Sequence, residues 1–139
     1  MPRCPSTIRG FSAVDLLIID EGARVPDDLY YTTRPMLAVS GGRVVALSTP
    51  FGKRGWFHDE WTKGGPSWHR AKVRAAECVR IDPVWLEQER ERIGSWWFDQ
   101  EYDVQFVDTD DQLFSSDLVD EAITPDVQPL VLPRLLWSA

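Results

Sequence analysis

The sequence predicts an α/β fold with a parallel sheet, and three observations support this prediction. Two apolar runs, residues 14–19 and 43–48, lie about 25 residues apart. A segment of helical character, residues 27–38, separates them. Strand, helix and strand within about 35 residues is the length of a right-handed parallel crossover unit.

The elements of this unit follow from local patterns. The run at residues 14–19 is continuous rather than alternating, which is typical of a strand covered on both faces in a parallel sheet. The helix opens with Asp27 and Asp28, whose side chains can cap its first turn, and Pro35 is expected to bend or end it. A Gly-Gly pair then precedes the second strand, residues 43–48.

Further elements are predicted after Pro50. A glycine-punctuated loop leads into a helix that carries Trp56, Phe57 and Trp61 at helical spacing. Residues 68–73 alternate large apolar with charged side chains, which predicts a half-exposed edge strand. We therefore expect the sheet to gain a member there.

The last third is predicted to be helical and then irregular. Asp82 and Pro83 form a good helix start, and Gly94 is expected to end that helix. Ser95 is expected to cap a helix from residue 96 to about 107, with one side formed by Trp97, Glu101 and Val104 packed on the sheet. A turn at residues 108–112, a short helix at 116–123 and a Pro-spaced linker from 125 to 139 are expected to follow.

Composition limits the class of protein. The chain has 139 residues, 43% of them hydrophobic and 27% charged, as in soluble globular proteins. No segment is long and apolar enough for a membrane span or a signal peptide, so we expect a cytoplasmic location. The net charge of −7 is uneven, because residues 98–139 hold ten acids against one basic residue. This charge leaves contact with DNA undecided, since a local basic patch can bind a phosphate backbone.

An acid pair follows the first apolar run. Asp20 and Glu21 stand at a strand end, where successive side chains leave in different directions. A nucleotide hydrolase needs one group to hold Mg²⁺ on the phosphates and another to position a water. Two solvent-exposed acids at a strand end are also common in proteins without such activity, so both interpretations stay open at this point.

A hydroxyl pair follows the second apolar run. Ser48 and Thr49, before Pro50, are placed where the neighbouring strand of such a sheet would bring hydroxyls beside a phosphate. The alternative interpretation is a turn with a helix cap. Because both strands end in groups suited to the same chemistry, we favour the functional interpretation.

These segments together resemble the ATPase domain of the large terminase subunit, the motor that packages DNA into tailed-phage heads. The resemblance is carried by residues 7–21 (TIRGFSAVDLLIIDE), residues 25–57 with LSTPFGKRGWF at their end, and residues 96–114 (WWFDQEYDVQFVDTDDQLF). It implies a partial P-loop NTPase-like sheet of the RecA/ASCE type with flanking helices. Residues 1–107 would be part of the ATPase domain, and residues 108–139 an acidic linker with a short helix leading toward a nuclease domain.

The resemblance also implies roles and ligands. Asp20 would be the Walker B ligand of Mg²⁺ and so a cofactor-binding residue, Glu21 the catalytic base, and Ser48 and Thr49 part of the motif that couples hydrolysis to DNA movement. ATP and Mg²⁺ would be the cofactors. The partners would be double-stranded DNA, the portal protein and the small terminase subunit, and the location the host cell cytoplasm.

The chain departs from the family pattern in two places. Gly22 stands where the family has Ala, which is a mild change. More important, no Gly-rich phosphate loop occurs in the 139 residues, and neither does the nuclease domain. Because that loop supplies most of the grip on the β and γ phosphates, we expect the isolated chain to bind ATP weakly and turn over none. We also expect an uncovered edge and face of the sheet, self-association, or pairing with a missing N-terminal half.

Alternatives remain at this stage. The chain can be a non-catalytic prophage remnant or accessory module that binds other packaging proteins. A helicase would require motifs after residue 57 that the sequence does not contain. Arg9 and Arg24 flank the acid strand and are candidates for a cation at the γ-phosphate, although we favour a surface or structural role for each. Lys53 and Arg54 can contact a DNA backbone or simply be solvated.

Overall fold

Two short parallel strands and a set of helices make up the fold in a computed structural model, which describes residues 10–108, 114 and 116–123. The chain divides into two compact units, Met1–Thr109 and Asp110–Ala139. The regular elements of the first unit are β1 (Leu16–Ile19), α1 (Asp27–Thr33), β2 (Arg43–Ala46), α2 (Gly55–Lys63), α3 (Pro83–Ile93) and α4 (Ser95–Glu101). Short 3₁₀ turns occupy Gly22–Arg24, Arg34–Leu37 and Ala75–Glu77.

The sheet confirms the predicted crossover unit. β1 and β2 pair in parallel, with Leu16 opposite Arg43 and Ile19 opposite Ala46. The helix α1 lies between them in sequence, as a parallel crossover requires. The α/β class and the parallel sheet are therefore confirmed, with two strands in the described part of the chain.

Within the described residues only one face of this sheet is covered, which contradicts the prediction of a strand buried on both faces. Exposed side chains alternate along both strands and one position past β2: Leu16 is 51% exposed, Ile18 60%, Val45 43% and Leu47 51%. Parallel strands are normally covered on both faces. The described part of the chain therefore leaves an apolar face of the sheet exposed.

The core lies against the other side and is aromatic. The rings of Tyr30 and Trp56, each 1% exposed, stack with centroids 3.9 Å apart. The indole of Trp56 donates to the carbonyl of Val25 at 3.0 Å, and the Tyr30 hydroxyl donates to Glu60 at 2.8 Å. Burial, together with the hydrogen bond to Glu60, raises the pKa of Tyr30. These contacts join α1, α2 and the turn after β1 into one body.

Helix boundaries agree with several predictions. α1 gives way at Arg34 to a 3₁₀ turn containing Pro35, because proline cannot donate the next helical hydrogen bond. Asp82 caps α3 by accepting from the amide of Val84 at 2.9 Å, and Gly94, with φ of 81°, ends that helix. α2 carries the predicted aromatic residues.

Residues 68–73 do not form the predicted edge strand. Within the described residues this segment pairs with no strand. It is tied down by side chains instead, since Trp68 donates to the Glu60 carboxylate at 2.7 Å and Arg70 donates to the Glu60 carbonyl at 2.7 Å. The alternating pattern therefore reflected a surface connection rather than a strand.

The predicted helix from residue 96 to about 107 was wrong in its end and in its buried face. α4 stops at Glu101, and Val104 adopts a left-handed φ of 53°. Phe98 and Gln100 are the buried residues, whereas Trp97 is 45% exposed. The helix begins at Ser95 after Gly94, so Ser95 is its first residue rather than its cap.

The second unit contains one described helix, α5 (Ser116–Ala122), which confirms the helix predicted at 116–123. Most of the predicted turn at 108–112 and the predicted linker at 125–139 lie outside the described residues. Among the helices that the structure describes, none is both long and apolar enough to cross a membrane.

Candidate functional site

The carboxyl ends of β1 and β2 meet at one edge of the sheet. The amide of Leu47 donates to Ile19 O at 2.9 Å, and the amide of Gly22 donates to Leu47 O at 2.9 Å. The parallel ladder therefore continues past both strands. Because of this register, the acid pair after β1 and the hydroxyl pair after β2 lie at the same edge.

The acid pair is exposed at this edge. Asp20 accepts the amide of Glu21 on Oδ1 at 3.1 Å. Glu21 has φ 53° and ψ 41°, a left-handed conformation that costs a non-glycine residue about 1 kcal/mol or more. Its side chain is 61% exposed. The sharp turn thus leaves both carboxylates accessible rather than buried.

The two hydroxyls are held by specific partners. Ser48 Oγ accepts the amide of Ala23 at 3.1 Å and donates to Thr49 O at 2.7 Å. Thr49 Oγ1 donates to the carboxylate of Glu101 at 2.9 Å. Ser48 therefore fastens the loop after β2 to the turn after β1, and Thr49 fastens it to α4.

Glu101 connects both strand ends and was not predicted as a site residue. Its second carboxylate oxygen accepts from the guanidinium of Arg24 at 2.9 Å. Arg24 also lies 3.8 Å from the carboxylate of Glu21 and 4.5 Å from the centre of the Phe51 ring. One carboxylate on α4 thus joins the Thr49 hydroxyl to the arginine beside the acid pair.

Gln100 adds a second tie from α4 to the same loop. It is 1% exposed, and its carbonyl oxygen accepts the amide of Gly52 at 2.9 Å. Its amide nitrogen has no hydrogen-bond partner among the residues that the structure describes. Adjacent residues of one helix therefore fix residues 49 and 52 of the loop that follows β2.

Gly22 fits a tight space beneath this edge. A Cβ there would lie 3.0 Å from a Phe57 ring carbon and 3.2 and 3.3 Å from Trp56 ring carbons. The aromatic residues of α2 therefore approach this turn so closely that a methyl group at residue 22 would require them to move.

The other predicted cations have structural partners. Arg24 is held by Glu101 and Phe51, as described above. Lys53 pairs with Asp108 at 3.2 Å, and the guanidinium of Arg54 lies 5.6 Å from the centre of the Phe51 ring. An open groove of about 470 Å³ lies beside these residues, between the turn after β1 and the loop after β2. Arg9 lies outside the described residues.

The donor set at this edge fits one part of a nucleotide site. Among the described residues no group of three or more His, Cys, Asp or Glu side chains could hold a metal. Mg²⁺ in nucleotide sites needs only one or two carboxylates, because phosphates and waters complete its octahedron. Exposed Asp20 meets that requirement. The 139 residues contain no Gly-rich loop that could bind the phosphates. The residues at this edge could therefore supply a ligand to Mg²⁺, but they could not bind the triphosphate.

Comparison with solved structures shows which fold this chain shares. No protein-family profile and no curated protein sequence matches the chain. The structure does match the ATPase domain of a large terminase. That protein is a point mutant of the large terminase ATPase domain of Thermus phage P74-26, with a TM-score of 0.65 and 23% sequence identity. The match covers 74% of this chain and 48% of the other, so the chain has the fold of about half of that domain.

Proposed function

We propose that this chain forms part of the ATPase domain of a phage large terminase subunit, the motor that packages double-stranded DNA into capsids. The observation that carries the proposal is the meeting of the Asp20–Glu21 pair and the Ser48–Thr49 pair at one sheet edge, in a fold like part of such a domain. In open α/β sheets, ligands bind beyond the carboxyl ends of the strands.

The acid pair supplies two roles in this proposal. Asp20 is the Walker B residue and would hold Mg²⁺, which when bound neutralises charge on the phosphates of ATP. Glu21 would accept the proton of the attacking water. Glu21 has a left-handed backbone and is followed by the buried Gly22, so the chain turns sharply directly after Asp20. Accessibility of both carboxylates supports this assignment.

The hydroxyl pair supplies the coupling. Ser48 is bonded to the turn after β1, and Thr49 to Glu101 on α4. A shift of the acid turn would therefore be transmitted to the loop after β2 and to α4. We propose that this connection is how the state of the nucleotide reaches the rest of the motor.

The triphosphate grip must come from residues outside these 139. The uncovered apolar face of β1 and β2 supports an arrangement in which further strands and helices pack there. As in the family, double-stranded DNA, the portal protein and the small terminase subunit would be the partners, in the host cell cytoplasm. The isolated chain is then expected to have no ATPase activity.

The test has two steps. First, titration of the purified chain with Mg·ATP should show no tight binding. Second, the chain should be mixed with the polypeptide of an adjoining reading frame that contains a G-x-x-x-x-G-K-[ST] loop, and ATP hydrolysis measured. Activity should appear in the mixture, disappear with Glu21→Gln, and survive Glu87→Gln, an exposed acid on α3.

Two results would contradict the proposal. If the mixture containing Glu21→Gln still hydrolyses ATP, Glu21 is not the catalytic base. The accessory module would be favoured instead if the adjoining reading frames encode neither a phosphate loop nor a nuclease. Tight ATP binding by the chain alone would exclude the non-catalytic interpretation.

A further inference from the structure

The connection between α2 and α3 is basic in an otherwise acidic unit. Residues 69–80, here called the basic connection, hold four Arg and Lys residues against one acid. The rest of residues 10–108 holds eight Arg and Lys against fifteen acids. The basic connection therefore carries a net charge of +3 within twelve residues.

The basic connection is fixed to the body at several points. Arg70 donates to Glu60 O at 2.7 Å and to Gly65 O and Trp68 O at 3.1 Å each. Farther on, the amide of Ala75 donates to Tyr102 O at 2.9 Å. Two consecutive turns then lead to α3, closed by the Cys78 and Ile81 amides. The segment is thus held in place although it belongs to no strand.

Within the described residues three of its cations form no ion pair, although the backbone amide of Arg74 donates to the carboxylate of Glu77 at 2.7 Å. Lys72, Arg74 and Arg80 are exposed, and no carboxylate of the described residues lies within 4.0 Å of their charged groups. Several cations elsewhere in the unit are paired instead. Lys63 pairs with Asp59 at 3.3 Å, and Arg92 pairs with Glu89 at 2.8 Å. The basic connection therefore presents charge that the fold itself does not neutralise.

The chemistry of the segment favours a phosphate backbone as the partner. Residues 69–80 contain no Phe, Trp or Tyr, so the segment has no ring of these types on which an unpaired base could stack. Lys72 and Arg74 are two positions apart, and Arg74 is extended with φ −87° and ψ 156°. Their Cα atoms can be about 7 Å apart at most, so the two side chains can contact the same stretch of backbone.

We infer that Lys72, Arg74 and Arg80 form a sequence-independent contact surface for the backbone of double-stranded DNA. This inference deepens the proposed function by naming the surface that meets DNA. It does not involve the nucleotide edge, so it can be tested on the purified chain. Contacts of this kind fix the position of a duplex without reading its bases.

The test is fluorescence anisotropy with a labelled 30-base-pair duplex over a range of salt concentrations. Three phosphate contacts predict a slope of log K against log salt of about −2.7, which is a loss of roughly 40-fold between 50 and 200 mM salt. The triple variant Lys72→Ala, Arg74→Ala, Arg80→Ala should abolish this salt-dependent binding. The charge-preserving variant Lys72→Arg, Arg74→Lys, Arg80→Lys should retain it.

A control with the same change in net charge separates a local surface from a general effect. Arg43→Ala, Lys63→Ala, Arg92→Ala removes three exposed cations from other elements and should leave binding within about twofold of the unsubstituted chain. Circular dichroism of each variant shows whether it is folded. If the alanine variant does not fold, the charge-preserving variant still decides the test.

Three outcomes would overturn the inference. The first is that the unsubstituted chain shows no salt-dependent binding of the duplex. The second is that the control variant and the alanine variant lose equal amounts of duplex binding. The third is that polyglutamate competes for binding as effectively as unlabelled duplex of equal charge. The last outcome would assign the surface to an acidic protein segment. The ATPase test of the mixture is independent, so failure of either proposal leaves the other measurable.

Discussion

Replacing Glu101 by alanine tests whether α4 fastens the two strand ends. The Glu101 carboxylate accepts from Thr49 after β2 and from Arg24 in the turn after β1, at 2.9 Å in each case. Alanine removes both acceptors at once. Glutamine keeps an oxygen for Thr49 but loses the charge that pairs with Arg24, so the two substitutions separate the two contacts.

The expected changes in the free energy of unfolding follow from how exposed the interacting side chains are. The side chains of Arg24 and Glu101 are 42% and 34% exposed, so solvent screening limits their ion pair to about 0.5 kcal/mol. The partly buried hydrogen bond from Thr49 to a charged acceptor contributes about 1–1.5 kcal/mol. We therefore expect Glu101→Ala to lower the free energy of unfolding by about 1.5–2 kcal/mol, and Glu101→Gln by about 0.5 kcal/mol.

Urea unfolding followed by tryptophan fluorescence measures these changes. The control is Glu91→Ala, an exposed acid on α3, for which a change within about 0.5 kcal/mol is expected. A double-mutant cycle with Thr49→Val should give a coupling energy of about 1 kcal/mol. If Glu101→Ala costs no more than the control, or the coupling is absent, then α4 does not hold the loop after β2 and the coupling route proposed above fails.

Three further predictions concern stability. Gly22→Ala should lower the free energy of unfolding in urea by about 1 kcal/mol, because the new methyl meets the buried Trp56 ring and the half-buried Phe57 ring. Burial holds the pKa of His58 below its ordinary 6.5, so the unfolded chain binds the proton more readily and stability should fall as pH drops through 6.5. Asp82→Ala should cost about 1 kcal/mol in the same urea assay, since α3 loses its cap.

Each of these has its own control. Gly65→Ala places a methyl in open space at a left-handed φ of 74°, so its cost reports backbone strain without a clash; a neutral or stabilising Gly22→Ala would mean that the aromatic rings yield. His58→Gln should remove its contribution to the pH slope, and His69→Gln should not. Glu87→Ala is the matched control for Asp82→Ala, and equal midpoints would show that the cap contributes nothing.

The sequence predicted the elements whose determinants are local. α3 is bounded by Asp82-Pro83 and Gly94, residues whose side-chain and backbone properties act within one turn. The parallel pairing followed from two apolar runs separated by a segment of crossover length. In these cases the information lies within a few residues of the feature, and the structure agrees closely.

Errors arose where a distant partner decides the outcome. Whether residues 68–73 form a strand depends on a neighbouring strand with free backbone groups, and here Arg70 and Trp68 bond to α2 instead. The buried face of α4 is set by Gln100, which bonds to Gly52 48 positions away. Periodicity within a helix of seven residues cannot identify such a contact.

The same reasoning explains why Glu101 was missed as a site residue. Its partners lie 52 and 77 positions away, and within the WWFDQE segment nothing distinguishes it from an ordinary surface acid. Asp20 and Glu21, by contrast, stand out because they follow directly on an apolar run. In a fold of this kind the residues that meet the ligand sit at strand ends and leave a local signal, whereas those that transmit its effect are placed by packing. The positions for transmission therefore have to be sought in the contacts, and Glu101 is the first of them to test.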